Sequence, residues 1–490
     1  MVRVNLWALT EVTAAVLPGM VERRRGAIVN MGSASSEAIP SFPLSTMYAA
    51  TKRYVAKFSR SLYVEYRSKG IDVQCQAPFF VATRIVPSAI RNNWLSPFLP
   101  TPDAYAAAAT RWIGHGPLCS PTVAHQLLWC LAGVLPDAVH DWLRLREHRR
   151  LRTLSFQRIR AASATGRTKA KSAAEDDRSR AGMALHLSGS RGVYTATFSF
   201  RLLAYLALCL RQPRDLRRHY GAWAMVTGPT SGIGWSVALE LASRGINLVL
   251  LDLDAANLQE TSDMIKSRHA VTTKTVVFDL SLVGTPQGDE SMRRLRAAIE
   301  GLDLGLLVNN AGVSKPSGAY LHEVDVEAWV KMVRVNLWAL TEVTAAVLPG
   351  MVQRRRGAIV NMGSASSEAI PSFPLSNIYA ATKRYVAKFS RSLYVEYRNK
   401  GVDVQCQAPF FVATRMVPRA IRDNWLSSFL PTPDAYAAAA MRWIGHGPLC
   451  SPTVGHQLLW CLARVLPDAV HDWLRLREHL RLRARLRSRE

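Results

Sequence analysis

The feature that most constrains this chain is a long internal repeat. Residues 1 to about 150 match residues 332 to about 481 at a constant offset of 331, with about a dozen differences over the first 148 aligned positions. The two copies are too similar for an old structural repeat. The match indicates a recent partial tandem duplication or two joined gene fragments. Because the first copy starts at the equivalent of Met332, it begins in the middle of a domain.

A glycine-rich turn stands upstream of the second copy only. The apolar run AWAMVTG leads into TGPTSGIG, with Gly228, Gly232 and Gly234, and then into the helical segment SVALELASRG. A strand that feeds a glycine turn at a helix N-terminus lets the backbone approach a pyrophosphate, whose charge the helix dipole favours. A second strand, INLVLLDLD, follows about twenty residues later, as in a dinucleotide-binding unit. The sequence therefore predicts a nucleotide site at this turn.

Strand and helix patterns alternate from Gly221 onward, with further strands in TVVFDLS and LGLLVNNAG. This alternation predicts an α/β fold, a doubly wound parallel sheet of the Rossmann type, in the C-terminal domain. A partial α/β copy of its second half precedes it. The predicted domains are the partial copy at 1–150, a basic linker at 151–220 and the complete domain at 221–490.

Asp252 closes the second predicted strand. A carboxylate there accepts hydrogen bonds from an adenosine ribose 2′-hydroxyl and repels a 2′-phosphate, which favours NAD(H) over NADP(H). The alternative is a solvated aspartate at a strand end, with Asp254 close by.

The repeated stretch NMGSASSEAIPSFPLSNIYAATK carries the chemistry. Tyr379 and Lys383 lie four residues apart, so in a helix both project from one face. The pKa of a tyrosine hydroxyl is ordinarily about 10, and a neighbouring ammonium together with a nicotinamide's positive charge would stabilise the phenolate. Tyr379 would then serve as an acid/base for carbonyl and alcohol chemistry near neutral pH. A serine hydroxyl after the preceding strand would hold the substrate oxygen.

Charge and cysteine content exclude other classes. The net charge is +26, and residues 149–219 hold 16 Lys/Arg against 4 Asp/Glu. Because no zinc-finger, helix-turn-helix or RNA-binding signature occurs, we predict no nucleic-acid partner. An anionic membrane surface or an acidic ligand remains as the partner that would explain the basic charge. Six of the seven cysteines are three positions present twice, and no CxxC or Cys/His cluster occurs, so no metal site is predicted.

The linker contains one apolar run, Leu202–Leu210. Its nine residues are too few to span a bilayer, which needs about 20. The run either lies on a membrane or packs on the following domain.

From about Gly221 onward the chain resembles the short-chain dehydrogenase/reductase family, in the motifs TGPTSGIG, NNAG, RVNLW, NMGS and YAATK. More narrowly, RQPRDLRRHYGAWAMVTG, GAIVNMGS and DVQCQAPFFVAT resemble the plant very-long-chain 3-oxoacyl-CoA reductases, relatives of the 17β-hydroxysteroid dehydrogenases. The resemblance implies reduction of a 3-oxoacyl-CoA to a 3-hydroxyacyl-CoA in fatty-acid elongation, at the cytosolic face of the endoplasmic reticulum membrane. The family prefers NADPH, and Asp252 leaves NADH open.

The resemblance also implies roles for individual residues. Tyr379 would be the acid/base, Lys383 would lower its pKa and hold the nicotinamide ribose, Ser364 would orient the substrate carbonyl and Asn336 would support the proton relay. The residues implied to meet the cofactor elsewhere are Gly228, Ser231, Gly232, Ile233 and Gly234 at the pyrophosphate, Asp252, Asp279 and Asn310 on the adenosine side, and Val412 and Thr414 at the carboxamide.

Three features depart from the family pattern. The gap from Ser364 to Tyr379 is fifteen residues, longer than usual, so Ser366 at thirteen is an alternative. Leu253 stands where the family commonly has a basic residue. The family's N-terminal membrane helix is reduced here to the short apolar run of the linker.

The first copy carries Asn5, Ser33, Tyr48 and Lys52 without a glycine loop, so we expect no independent activity there. In the family the helices of the Asn336 and Tyr379 motifs commonly form a dimer contact. The first copy is therefore expected either to dock on the complete domain as an internal pseudo-subunit or to be an unstable fragment with exposed apolar faces.

Other partners and functions stay open. The resemblance implies an acyl-CoA substrate, a fatty-acid elongation complex, a membrane surface and a homodimer as partners. The alternative functions are reduction of a steroid or other lipid ketone, or a non-catalytic fusion paralogue.

Overall fold

The computed structural model describes residues 1–84, 86, 98–164, 214–417 and 429–487. The chain divides into two compact units, one formed by residues 1–148 with 216–490 and one by residues 149–215. A helix, Asp137–Ala164, runs through the predicted domain boundary at residue 150, so no break in secondary structure marks that boundary. The apolar run Leu202–Leu210 lies outside the described residues.

The N-terminal copy contains a small parallel sheet. Its strands lie in the order β1 (Gly26–Met31), β2 (Ile71–Gln76) and β3 (Leu118–Cys119). Its helices are α1 (Leu9–Arg23), α2 (Ala34–Glu37), α3 (Thr46–Tyr66), α4 (Pro102–Arg111), α5 (Val123–Val134) and α6 (Asp137–Ala164).

The C-terminal domain contains a seven-stranded parallel sheet, which confirms the predicted fold class. Its strands are β4 (Trp223–Thr227), β5 (Asn247–Asp252), β6 (Thr273–Val277), β7 (Leu304–Asn309), β8 (Gly357–Met362), β9 (Val402–Gln407) and β10 (Leu449–Cys450), in the order β10-β9-β8-β7-β4-β5-β6. The strand order reverses between β4 and β7, the position where ligands bind in such sheets.

Helices cover both faces of this sheet, as parallel sheets require. They are α7 (Leu216–Tyr220), α8 (Gly232–Ser243), α9 (Ala255–Arg268), α10 (Pro286–Ile299), α11 (Val326–Val333), α12 (Leu340–Arg354), α13 (Ala365–Glu368), α14 (Asn377–Tyr397), α15 (Pro433–Arg442), α16 (Val454–Val465) and α17 (Asp468–Arg487).

The same six-residue strand sequence, GAIVNM, is buried in one copy and half exposed in the other. In β8 all six residues are buried, and Val360 and Met362 are 1% and 5% exposed. In β1 the equivalent Val29 and Met31 are 37% and 43% exposed. The difference arises because β8 lies between β7 and β9, whereas β1 pairs only with β2 in the described part of the chain.

The two copies pack against each other within one compact unit. Helix α3 of the N-terminal copy lies along α14 of the complete domain, and one hydrophobic core contains side chains of both. Phe58 on α3 and Phe389 on α14 are both buried in it. Burying a side chain of this size contributes about 1.5–3 kcal/mol to stability.

Polar contacts across this interface occur in pairs related by the 331-residue offset. The Phe42 N–H donates to Ser392 Oγ at 3.0 Å, and the Phe373 N–H donates to Ser61 Oγ at 3.0 Å. Arg60 pairs with Asp468 and Asp472, while Arg391 pairs with Asp137 and Asp141. The copies are therefore arranged with approximate two-fold symmetry.

Two helical stretches in the described residues are long and apolar enough to cross a membrane, Arg3–Arg23 and Val326–Arg354. The second packs in the core of the complete domain through residues such as Val330, Val343 and Val347. The first repeats much of its sequence. Only 22% of its apolar window is buried, however, against 56% for the second stretch.

Candidate active site

The glycine turn between β4 and α8 is built for a close approach of main chain. Gly228 and Gly232 have φ values of 68° and 57°, in the left-handed region that favours glycine. A Cβ on Gly234 would lie 2.0 Å from the Gly228 carbonyl oxygen. The first turn of α8 starts at Gly232, and Ser231 does not cap it with its side chain. These residues fit a pyrophosphate, whose oxygens would meet the free N–H groups of the first helical turn.

Asn310 supports this turn from the neighbouring strand end. Its side-chain amide donates to the carbonyl oxygens of Thr227 and Gly228 at 3.1 Å, and its own N–H donates to Thr227 Oγ1 at 3.0 Å. The side-chain amide of Asn310, a residue predicted to lie on the adenosine side, is thus engaged with the turn itself. Asn310 fixes the shape of the glycine turn.

Asp252 lies at the carboxyl end of β5, beside the same turn. One carboxylate oxygen accepts from Thr230 Oγ1 at 2.7 Å, and the other accepts from the Leu253 N–H at 2.8 Å. Thr230 was not among the predicted site residues, although it lies within the TGPTSGIG motif. The position suits contact with a ribose, and the negative charge opposes a 2′-phosphate.

Asp279 and Val412 have local structural roles. Asp279 caps the short helical turn Leu280–Leu282 by accepting from the Ser281 N–H at 2.8 Å. Val412 is 3% exposed and packs in a hydrophobic core, so only its main chain remains available to a cofactor. Thr414, in contrast, lies against the glycine turn, with its Cγ2 atom 3.2 Å from the position of a Cβ on Gly232.

Ile233, the remaining residue predicted to meet the cofactor, is partly buried. It packs against the core on one side of the sheet and holds the start of α8 in place.

Tyr379 and Lys383 face the same region from α14, as predicted from their spacing. Lys383 Nζ lies 5.9 Å from the Tyr379 ring centre and donates to the Met362 carbonyl oxygen at 2.9 Å. Burial lowers the pKa of Lys383 to about 8, although Cys406 nearby opposes this. Burial raises the pKa of Tyr379, which keeps the phenol protonated. The protonated phenol is the form that donates a proton in a reduction.

Ser364 is the serine next to the tyrosine. It follows β8, and a hydrogen bond between Ser364 and Tyr379 partly opposes the rise of the tyrosine pKa. Ser366 lies behind it, with its Oγ 2.8 Å from Ser364 Oγ and its N–H donating to the same oxygen. Ser364, the residue preferred in the prediction, thus acts on the pKa of Tyr379, and Ser366 stays the alternative.

Asn336 lies in a π-helical turn, Arg334–Ala339, inside the long helical stretch. Such turns occur frequently at functional sites. Its side chain accepts from the Val313 N–H and donates to the Val313 carbonyl oxygen, both at 2.8 Å, and also donates to Thr382 Oγ1 at 3.2 Å. Asn336 therefore ties the loop after β7 to the tyrosine helix.

Gly312, within the NNAG motif, was not predicted as a site residue. A Cβ there would lie 3.3 Å from Asn336 Oδ1 and 3.4 Å from Lys383 Nζ, so a side chain would crowd both groups.

A small, shallow pocket adjoins Tyr379. Apolar side chains from Val324, Trp329 and Met332 line it, together with the segment that precedes the tyrosine. It therefore places apolar side chains next to Tyr379.

Comparison with known proteins assigns the family. The family model described as short chain dehydrogenase matches residues 1–94 and 222–425, more than half of the chain. This chain belongs to the short-chain dehydrogenase family. It is thus an oxidoreductase of the nicotinamide-dependent kind, as predicted, and both copies are recognised.

Three relatives show where this dehydrogenase lies within the family. It is 44% identical over 276 residues to the very-long-chain 3-oxoacyl-CoA reductase-like protein of Arabidopsis thaliana. The aligned region covers 56% of this chain and 86% of that protein. It is 35% identical to the very-long-chain 3-oxoacyl-CoA reductase of Rattus norvegicus, over 55% of this chain and 83% of that protein. It is also 35% identical to the inactive hydroxysteroid dehydrogenase-like protein 1 of Homo sapiens, over 53% of this chain and 76% of that protein.

The N-terminal copy of this dehydrogenase keeps part of the site geometry. Lys52 Nζ donates to the Met31 carbonyl oxygen at 2.9 Å, as Lys383 does to Met362, and Ser33 and Ser35 make the same contact as Ser364 and Ser366. Asn5 donates to Thr51 at 3.1 Å. However, residues 1–84, 86 and 98–164 provide no glycine turn and no counterpart of Val313 for Asn5. The copy therefore has the tyrosine and lysine without a place for a dinucleotide.

Proposed function

We propose that the complete domain reduces a 3-oxoacyl-CoA to the 3-hydroxyacyl-CoA with a reduced nicotinamide cofactor, in very-long-chain fatty-acid elongation. The observation that carries the proposal is the convergence of Ser364, Tyr379, Lys383 and Asn336 at the sheet edge that also holds the glycine turn. Two relatives at 44% and 35% identity are named very-long-chain 3-oxoacyl-CoA reductases or reductase-like, which supports the substrate class.

Each residue has a role in the proposed reaction. Ser364 holds the oxygen of the substrate's 3-oxo group by hydrogen bonding, and Tyr379 gives its phenolic proton to the same oxygen. Lys383, while charged, stabilises the phenolate that remains. Asn336 keeps the Val313 loop and Thr382 fixed around this group. The nicotinamide cofactor, when bound, supplies the hydride for the 3-oxo carbon.

We further propose NADPH as the cofactor, with NADH as the competing choice. The glycine turn, Thr414 and the end of β5 would hold it. The family's preference supports NADPH, while the Asp252 carboxylate beside the turn favours NADH.

The experiment is an assay of the purified full chain with a series of 3-oxoacyl-CoA chain lengths and both cofactors. We expect turnover that rises with acyl length. Turnover on steroid ketones but on no acyl-CoA would replace the proposal with lipid-ketone reduction. Cofactor binding without turnover on any of these substrates would indicate a non-catalytic paralogue. The human relative is itself named as inactive.

We propose that the protein associates with the endoplasmic reticulum membrane on its cytosolic side, and with a fatty-acid elongation complex there. The net charge of +26 supports contact with an anionic surface. Flotation with vesicles of anionic and neutral lipid tests this: binding to the anionic vesicles alone is expected, and no binding to either contradicts it.

We also propose that the N-terminal copy serves as an internal pseudo-subunit. The paired contacts of Phe42 with Ser392 and of Phe373 with Ser61 support this arrangement.

A further inference from the structure

The segment that connects Ser364 to Tyr379 has a strained turn just before the tyrosine helix. Leu375 adopts a φ of 56°, in the left-handed region that residues with a side chain rarely occupy. Holding a non-glycine residue there costs on the order of 1–3 kcal/mol, so the surrounding contacts must fix it. Helix α14 begins two residues later, at Asn377, and Tyr379 is its third residue. The conformation of Leu375 therefore sets where the tyrosine helix starts.

The contacts that fix this turn come largely from the N-terminal copy. Glu65 Oε1 accepts from the Leu375 N–H at 2.6 Å and from Asn377 Nδ2 at 2.9 Å. Within the complete domain, the Gly318 N–H donates to the Leu375 carbonyl oxygen at 2.8 Å. Glu65 is 1% exposed, so no solvent replaces it as the acceptor.

Two further side chains of α3 hold the same segment. Ser61 Oγ accepts from the Phe373 N–H at 3.0 Å. Lys57 Nζ donates to the Ile370 carbonyl oxygen at 2.5 Å. Together with Glu65 they follow one face of α3 and contact the main chain at Ile370, Phe373 and Leu375.

We propose that Glu65 of the N-terminal copy is a positioning residue for Tyr379, and that the duplicated half-domain supports the active site of the complete domain through it. This inference rests on the proposed function, since it assigns Tyr379 to catalysis. The partial copy, which has no cofactor site in the described residues, then contributes to the chemistry of its neighbour.

The chain contains its own matched control. Glu396 on α14 makes the equivalent contacts in the opposite direction: its Oε1 accepts from the Leu44 N–H at 2.5 Å and from the Thr46 hydroxyl. Leu44 has a φ of 61°, like Leu375. Glu396 therefore fixes the turn before Tyr48, which faces no glycine turn. Removing either carboxylate weakens the same interface, but only Glu65 acts on Tyr379.

The conservative variant Glu65→Gln separates the effect of the hydrogen bonds that Glu65 accepts from the effects of its size and charge. Burial raises the pKa of Glu65 to about 8. The carboxyl is then largely uncharged near neutral pH, and Gln keeps the acceptor oxygen in nearly the same shape. Glu65→Gln should restore the turn, whereas Glu65→Ala should not.

The test uses the full chain with Glu65→Ala, Glu65→Gln and Glu396→Ala. For Glu65→Ala we expect kcat to fall at least about tenfold, because small displacements of a reacting group cost more than that. We expect the affinity for NADPH, measured by its fluorescence, to change less than about twofold, since a change of about tenfold would require ~1.4 kcal/mol. Glu65→Gln and Glu396→Ala should keep kcat near that of the unmodified chain. Equal losses of kcat in Glu65→Ala and Glu396→Ala would overturn the proposal.

Hydrogen exchange provides a readout that does not depend on turnover. Peptides that contain Asn377 and Ile378 are distinguishable from those with Thr46 and Met47. Glu65→Ala should speed exchange in residues 372–379, and Glu396→Ala should speed it in residues 41–48. If the exchange pattern appears but no acyl-CoA is turned over, the proposed function fails and the positioning contact stands. If residues 372–379 are unaffected in Glu65→Ala, the positioning proposal fails.

Ser61→Ala, with Ser392→Ala as its control, provides a milder pair should Glu65→Ala not fold. Each removes one acceptor for one main-chain N–H. We expect Ser61→Ala to lower kcat and to speed exchange in residues 372–379, and Ser392→Ala to do neither, with smaller effects than for the glutamate variants. The absence of this difference would overturn the proposal.

Discussion

At the scale of single residues, the electrostatics of Lys383 set the pH range of the proposed reaction. Burial lowers the pKa of Lys383 to about 8, so its ammonium loses its proton as the pH rises through that value. The charge proposed to stabilise the Tyr379 phenolate is then lost. We expect kcat/KM for reduction to fall above about pH 8, since kcat/KM reports the ionisations of the free enzyme.

A pH profile of kcat/KM between about pH 6 and 10 measures this fall. The pKa of Lys52, the equivalent residue in the N-terminal copy, is lowered as well. The Lys52→Met variant should therefore keep the same profile if Lys383 causes it. A profile that stays flat through about pH 8 would contradict the assignment.

Asp252 is the residue that we expect to decide between the two cofactors. Its carboxylate lies beside the glycine turn, where it would repel a 2′-phosphate. Replacing it by Asn removes the charge and keeps an oxygen for Thr230. We expect the preference for NADPH over NADH, as a ratio of kcat/KM values, to rise about tenfold, which corresponds to ~1.4 kcal/mol.

Asp254→Asn is the matched control for this change. Asp254 caps α9 by accepting from the Asn257 N–H at 3.1 Å, and it lies two residues from Asp252. Its loss should leave the cofactor ratio unchanged. An equal shift in both variants would mean that general charge, and not the position of Asp252, determines the ratio.

At the scale of elements, the two GAIVNM strands form a natural comparison. Strand β8 has hydrogen-bonded neighbours on both sides, whereas β1 pairs with β2 alone among the described strands. Unpaired edges open more readily. We expect the amide hydrogens of β1 to exchange at least about tenfold faster than those of β8.

Mass spectrometry can follow the two strands separately. Peptides that extend to Glu22 or to Gln353 differ in mass although the strands are identical. Equal exchange rates would show that another segment covers the edge of β1.

Much of this architecture was predictable from local sequence. The glycine turn, the parallel sheet and the shared face of Tyr379 and Lys383 follow from short-range spacing, and the structure has all three. The supporting contacts were not predictable. Thr230 meets Asp252 only because two parallel strands end side by side. Glu65 lies in a helix whose sequence, SLYVEY, gives no sign that its carboxylate is buried against a segment about 310 residues away.

The left-handed turn at Leu375 was also beyond prediction. Such conformations are usually signalled by glycine, asparagine or aspartate. Here a leucine adopts it because contacts from Glu65 and Gly318 fix its main chain. The preference for Ser364 over Ser366 came from strand position, and it stays a prediction.

At the scale of the whole molecule, the N-terminal copy covers the face of α14 on the complete domain. Buried apolar residues of both copies form a common core there. If the copy acts as an internal pseudo-subunit, the full chain should be monomeric. A chain of residues 214–490 should dimerise through the uncovered face.

Size-exclusion chromatography with light scattering measures both masses. A monomeric short chain, or a full chain that dimerises as readily as the short one, would argue against the pseudo-subunit. Arg391→Glu in the short chain is a useful control. Arg391 lies on the covered face, paired with Asp137 and Asp141, and its reversal should weaken the dimer.

The chain contains two nearly identical sites, and the proposed chemistry takes place at the second. Tyr379 lies with Ser364 in the domain whose sheet carries the glycine turn, while Tyr48 has the same neighbours in sequence and no such turn in the residues described. The most direct measurement compares Tyr379→Phe and Tyr48→Phe in the full chain, by kcat/KM for 3-oxoacyl-CoA reduction. We predict a loss of at least about 10²-fold for Tyr379→Phe, the scale of a lost general acid, and no change for Tyr48→Phe. Equal losses in both variants, or a loss confined to Tyr48→Phe, would contradict the account.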